Sequence, residues 1–233
     1  MKYEKIGIVV ADTDEYKSLR EKVEKGSFES LEILRREAHK YSIETEKGSI
    51  EVISILCGIG KVNATAATVC LISMGCDVIL NYGLSGGVSG IGRGEICVPN
   101  RFLEHDFDLQ VLGYKPCEKP AQDSYIYNAS EELLKVAEDV IPNAKFGTAV
   151  TGDRFICDDK VRIELAQTFN AMSCDMETAA IAYVCEYSDI PFLAVRRVSD
   201  DAGNDAGDAY REMNVSDETV LYDYVEDIIK SLI

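Results

Sequence analysis

The chain has 233 residues, with 41 Asp and Glu against 24 Lys and Arg, for a formal charge of −17. That balance excludes nucleic acid and anionic membrane as general partners, because both repel an acidic surface at long range. No segment approaches the roughly 20 apolar residues of a membrane span, and no basic n-region precedes an apolar run, so the expectation is one soluble, cytoplasmic domain over residues 1–233.

Lys5 to Ala11 is a β-rich apolar run, expected as a first central strand. Asp12, Thr13, Asp14 and Glu15 follow it and supply capping oxygens and first-turn acids for a helix reaching about Glu24. Capping alone accounts for any one of these acids, yet their place at the carboxyl end of a buried strand asks at least one to face a ligand crevice. Tyr41 to Glu46 alternates, Lys47-Gly48 turns and Ile50 to Leu56 continues as a strand, which together read as a hairpin. Gly58 and Gly60 then lead into an apolar helix from Asn63 to Met74. Two glycines at that point are half of a dinucleotide fingerprint. Asn63 stands at the third position and no acid closes a second strand at the right distance, so an NAD site is not supported, only a close backbone approach.

Val78 to Tyr82 reads as a buried strand, and Gly83 to Gly90 as a glycine-rich turn leading to a strand over Glu95 to Val98. The turn lacks the Lys-Ser/Thr ending of a phosphate-cradling loop, which excludes that ATPase type. Arg101 to Gln122 reads as a long surface loop, within which His105-Asp106-Phe107-Asp108 is either a polar loop or a hard-metal site. Ser130 caps a helix to about Val140, and Lys145 to Val150 is strand-like. The next loop, Thr151 to Ile156, places polar groups beside Phe155; this suits a planar ligand or a plain strand-to-helix connection equally. A helix over Asp158 to Gln167 follows.

Cys174 to Cys185 opens with Asp175 and Glu177 astride Met176 and then carries only apolar, small or aromatic residues. A helix of that composition has no wet face and must be buried, with Glu177 near its positive N-terminus. Pro191 to Asp200 reads as a buried strand ending in Ser199 and Asp200, where ligands bind in sheets of this type. Ser216-Asp217-Glu218 starts a last helix with the stripe Leu221, Tyr224, Val225, Ile228, Ile229 and Leu232. The eight cysteines never fall in a C-x-x-C pair and sit in apolar segments, as free core thiols in a reducing compartment do. The whole is an α/β chain: one central mixed β-sheet flanked by helices.

Five ordered motifs carry a resemblance: Gly58-Ile59-Gly60-Lys61-Val62, Asn81-x-Gly83-x-x-Gly86-Gly87, Gly152-Asp153-x-Phe155-Ile156, Met176-Glu177-x-x-Ala180-Ile181-Ala182 and Val195-Arg196-x-x-Ser199-Asp200. In combination they resemble the purine nucleoside phosphorylase and uridine phosphorylase superfamily, nearest to its nucleosidases for 5′-methylthioadenosine and S-adenosylhomocysteine. The resemblance implies the nucleoside phosphorylase-like fold, hydrolysis of an N-glycosidic bond to adenine, no metal, no cofactor and a homodimer. It implies catalytic roles for Glu15 on water, Asp200 on N7 and Glu177 on the ribose hydroxyls. Substrate contacts are implied for Ile59, Gly86, Phe155, Ile156, Met176, Ser199 and Tyr210. The chain departs from the pattern at Leu84, where the family carries a small hydroxyl residue, at Asp175 in place of Glu, and at Arg197 in place of a small residue. Leu84 removes a hydroxyl that phosphorolytic relatives would use on phosphate, which favours hydrolysis, and Arg197 points the other way or toward a different substrate. The alternatives are a phosphate-dependent phosphorylase of the same fold and a non-catalytic nucleoside-binding module. Arg196 and Arg197 are expected to point away from Asp200 or to pair with other acids, leaving Glu15 and Glu177, together with burial, to raise the Asp200 pKa by repulsion and desolvation.

Overall fold

The computed structural model describes residues 2–212 and 219–233. Ser216, Asp217 and Glu218, the expected start of the last helix, lie outside them. One mixed sheet organises the described residues, in the order β2-β3-β4-β1-β5-β10-β9-β7-β8, with β11 pairing β5 and β6. Its middle is parallel: β1 (Lys5–Val10) lies between β4 (Gly48–Leu56) and β5 (Val78–Gly87), and β11 (Phe192–Asp200) runs along the other side of β5. These strands are apolar on both faces, as burial under helices on each side requires.

The expected hairpin is β3 (Arg36–Thr45) with β4, closed between Thr45 and Gly48. A further strand, β2 (Phe28–Ile33), pairs with β3 through Leu34 and Arg35, whose φ values of 55° and 57° make a two-residue turn. That turn carries neither Gly nor Asn, so the usual hairpin signal is missing from the sequence.

Two expectations are corrected. The Gly83–Gly90 segment is not a turn throughout, because β5 continues to Gly87 and its end pairs with β10 (Ala171–Asp175). The Arg101–Gln122 stretch is not all loop: β7 (Arg101–Glu104) joins the sheet parallel to β9 (Thr148–Thr151), while β6 (Ile96–Cys97) and β8 (Tyr127–Asn128) are short edge pieces. The apolar helix begins with Glu177 as its N-cap, the expected N-terminus. Cys174 and Asp175 end β10, the chain bends at Met176 and Glu177, and the helix proper runs Thr178–Glu186.

Seven α-helices are described: α1 (Thr13–Val23), α2 (Lys61–Ser73), α3 (Glu131–Val140), α4 (Asp159–Phe169), α5 (Thr178–Glu186), α6 (Ala206–Glu212) and α7 (Thr219–Leu232). On α5 every residue from Thr178 to Cys185 is buried except the half-buried Tyr183. Leu221, Val225, Ile228 and Ile229 bury the stripe of α7 against the sheet, joined by Tyr222, whose hydroxyl meets that of Tyr41 at 2.9 Å. Among the described residues no helix is long and apolar enough to cross a membrane.

Candidate active site

The carboxyl ends of β1, β5, β9, β10 and β11 surround one cavity of about 530 Å³. All ten residues expected at a site line it: Glu15, Glu177, Asp200, Ile59, Gly86, Phe155, Ile156, Met176, Ser199 and Tyr210. The folding logic is local. The strands are mostly apolar, and the polar groups that line the cavity come from their carboxyl ends and the loops that follow.

Glu15 sits on the first turn of α1, behind the cap Asp12, whose carboxylate accepts from Asp14 N at 2.8 Å. It is buried, accepts a hydrogen bond from Leu84 N at 2.7 Å and a long one from Asp12 N at 3.4 Å. Burial pushes its pKa up to about 8; Arg196 and the Leu84 N–H oppose the rise, and Glu177 and Asp12 add to it. Gly83 makes this placement possible: a Cβ there would lie 2.6 Å from Arg196 Nη1 and 2.8 Å from each Glu15 oxygen.

Glu177 takes the first position before α5, but it does not use the helix N–H groups. Asp175 does. Its Oδ1 accepts from Glu177 N, Thr178 N and Thr151 Oγ1, each at 2.9 Å, and its Oδ2 accepts from Thr178 Oγ1 at 2.5 Å. Glu177 thus lies at the helix N-terminus as expected, while Asp175 takes the N–H groups, because an Asp side chain reaches backbone N–H groups two and three residues on. Glu177 is freed to turn across the cavity floor, accepting from Gly60 N at 3.0 Å and Arg196 Nη2 at 3.4 Å. Its pKa is raised by burial and by Asp175, against Arg196 and the Gly60 N–H. The close backbone approach expected at Gly58–Gly60 is this contact, and both glycines have positive φ.

Arg196 is the residue that sequence reasoning underrated. It points inward, is fully buried and donates to Leu84 O at 3.0 Å while facing Glu177 and Asp175. It therefore stands beside Glu15 of α1 as well. Alternation offered a signal, since Arg196 shares strand parity with Ala194 and Val198 in a run too apolar to expose one face. Its pairing with other acids is as expected, so it is not what opposes Asp200.

Asp200 ends β11 after a register shift between Val198 and Asp200, an irregularity that leaves both Ser199 and Asp200 lining the cavity. Its Oδ2 accepts from Ser199 Oγ at 2.6 Å and its Oδ1 from Ala202 N at 2.8 Å. Burial raises its pKa and Asp201 adds to that; Ser199, the Ala202 N–H and Arg93 oppose. The neighbouring acid that matters is thus Asp201, and not Glu15 or Glu177. Gly86 brings the β5 backbone close: a Cβ on it would lie 3.2 Å from Asp200 Oδ1 and 3.0 Å from Cys174 Sγ. At the opening, Phe155 and Tyr210 meet edge to face with ring centroids 5.6 Å apart.

Among the described residues no group of three His, Cys, Asp or Glu is placed to hold a metal ion. Asp106 is instead paired with Lys61 at 2.6 Å, and the His105 ring covers Gly152, leaving no room there for a Cβ.

A doubly flanked sheet thus gathers three buried carboxyls and an aromatic pair at one end, and the chain belongs to the phosphorylase superfamily, whose family model it matches over residues 5–230. More particularly, it is 33% identical over 216 residues to the 5′-methylthioadenosine/S-adenosylhomocysteine nucleosidase of Tolumonas auensis, covering 89% of this chain and 91% of that protein. Solved structures share the fold. The S-adenosylhomocysteine nucleosidase from Streptococcus pyogenes, in complex with 5-methylthiotubericidin, superposes with a TM-score of 0.91 at 24% identity, covering 100% of this chain and 99% of that one. The futalosine hydrolase of Helicobacter pylori strain 26695 gives 0.91 at 23% identity, covering 99% of each.

Proposed function

We propose that the protein is an N-ribosyl hydrolase that cleaves the N-glycosidic bond of 5′-methylthioadenosine and S-adenosylhomocysteine and releases adenine. The observation that carries this reading is the convergence of Glu15, Glu177 and Asp200, all buried, on one cavity. As the C1′–N9 bond breaks, its electron pair moves into the base, and a purine leaves poorly as an anion. Asp200, its pKa raised by burial and its carboxyl oriented by Ser199, gives a proton to N7. Glu177 accepts the ribose hydroxyls, and its charge offsets the oxocarbenium-like sugar. Glu15 takes a proton from the water whose oxygen bonds to C1′. Phe155 stacks on the base, the Ile156 backbone reads its edge, and Gly86 admits it close to the strand. Ile59, Met176 and Tyr210 enclose the ribose and its 5′ group.

Hydrolysis is favoured over phosphorolysis by what surrounds Leu84. Its side chain offers no hydroxyl, its N–H is given to Glu15, and Arg196 is already engaged by Leu84 O and Glu177. A phosphate at that place would meet buried carboxyls. Incubation with 5′-methylthioadenosine, with and without phosphate, should release adenine equally and leave free 5-methylthioribose. Accumulation of a sugar 1-phosphate would reverse the assignment to a phosphorylase.

The assembly proposed is a homodimer, supported by the outward face of α2, where Val62 is 79% and Val69 48% exposed. The location proposed is the cytoplasm: all eight cysteines are free thiols, as a reducing compartment keeps them.

A further inference from the structure

Two arginines line the mouth of the cavity in a chain whose formal charge is −17. Arg154 precedes Phe155 in the loop after β9, and Arg211 follows Tyr210 on α6. The aromatic pair between them marks the rim, with Phe155 42% and Tyr210 36% exposed, whereas Glu15, Glu177 and Asp200 are buried. The cavity is thus graded, with acids on its floor, rings above them and cations at its edge. Among the described residues Arg211 is held only by an exposed pair with Asp208 at 2.9 Å, a contact worth little in water and easily exchanged for another carboxylate. Among the described residues no carboxylate lies within ion-pair distance of Arg154.

We infer that this rim selects nucleosides whose 5′-thio substituent ends in a carboxylate. The inference rests on the nucleosidase reading above. With the base on Phe155 and Asp200 and the ribose hydroxyls on Glu177, the 5′ position is the part of the nucleoside left to project toward the opening. A methyl group there gains nothing from the arginines. A carboxylate-ended tail would be repelled by the floor acids and by the whole chain, so it is tolerated only where cations meet it. Guanidinium groups are suited to this because they bind carboxylate through paired N–H donors. Space is available: the volume of about 530 Å³ is in the range for ligands larger than a bare nucleoside, and a Cβ on Gly207, also in the lining, would meet nothing within 4 Å.

The test compares kcat/KM for S-adenosylhomocysteine with that for its carboxamide, which keeps the ammonium and the tail length and loses only the anion. The parent protein should prefer the carboxylate by about three- to thirtyfold, the range expected of two rim-exposed pairs. The preference should shrink at high salt, and the double variant Arg154→Met/Arg211→Met should abolish it. Single Arg154→Gln and Arg211→Gln variants, each expected to lose part of the preference, serve if the double variant does not fold. A preference unchanged by the substitutions, or an equal loss on both substrates, overturns the inference. If the parent releases adenine from neither compound, it is the nucleosidase reading that fails.

Discussion

Asp200 and Glu15 are both carboxyls, yet the proposed chemistry asks opposite things of them. An aspartate with an ordinary pKa of about 3.9 has no proton to give at neutral pH. Burial raises Asp200 and carries Glu15 to about 8, so between the raised Asp200 pKa and about 8 the two groups hold one proton between them. Activity needs that single proton: below the raised Asp200 pKa both groups are protonated, and above about 8 neither is. The kcat/KM profile for 5′-methylthioadenosine should therefore be bell-shaped with its alkaline limb near 8, and a profile flat to pH 10 would contradict the pairing. Asp200→Asn should remove the alkaline limb and lower the rate on adenine nucleosides by about 10²- to 10⁴-fold, or about 3 to 5 kcal/mol of barrier. A nitrophenyl riboside, whose leaving group needs no proton, should be hurt far less. Equal losses on both substrate types would reduce Asp200 to shaping the pocket.

At the scale of elements, the site depends on how closely β5 and β11 bring their ends to α1. Gly83 is opposite Arg196 in the β5–β11 register, and its missing side chain is the space that the Arg196 guanidinium and the Glu15 carboxylate occupy. Its backbone is not in the left-handed region, so replacing it tests packing and not strain. Gly83→Ala should force Arg196 or Glu15 to move, costing about 1 to 3 kcal/mol of stability and most of the turnover. Thermal unfolding and steady-state rates measured on the same sample check this, and a variant with parental kcat would show that Glu15 need not sit where it does. The capping of α5 by Asp175 has a related effect. By satisfying the first N–H groups of the helix, it leaves Glu177 one residue away free to face the ligand.

For the whole molecule, the acidic surface and the apolar outer face of α2 make separate statements. The charge repels polyanions, while Val62 and Val69 are the uncharged surface on which the proposed homodimer would form. Sedimentation should give a dimer for the parent. Val62→Glu together with Val69→Glu should give a monomer that stays folded, since neither side chain is in the core; a dimer that survived both substitutions would move the interface elsewhere.

Much was legible in the chain order of polar and apolar residues alone. The apolar runs located the buried strands, since a strand covered on both faces is mostly apolar, and so Glu15, Ser199 and Asp200 could be placed at or just after strand ends and Glu177 at the start of the buried helix. The α5 segment announced its burial because it has no polar face to offer water. Other features depended on pairing between distant segments. The β2–β3 turn at Leu34-Arg35 has no local signal, and the last residues of β5 look like a turn until β10 and β11 supply partners for their N–H and C=O groups. The direction of Arg196 was settled in the same way. Nothing adjacent in sequence reveals that Asp175 and Glu177, about twenty residues earlier, lie within reach of its guanidinium, and only a folded sheet that buries all three together makes the inward rotamer the one that leaves no charge alone.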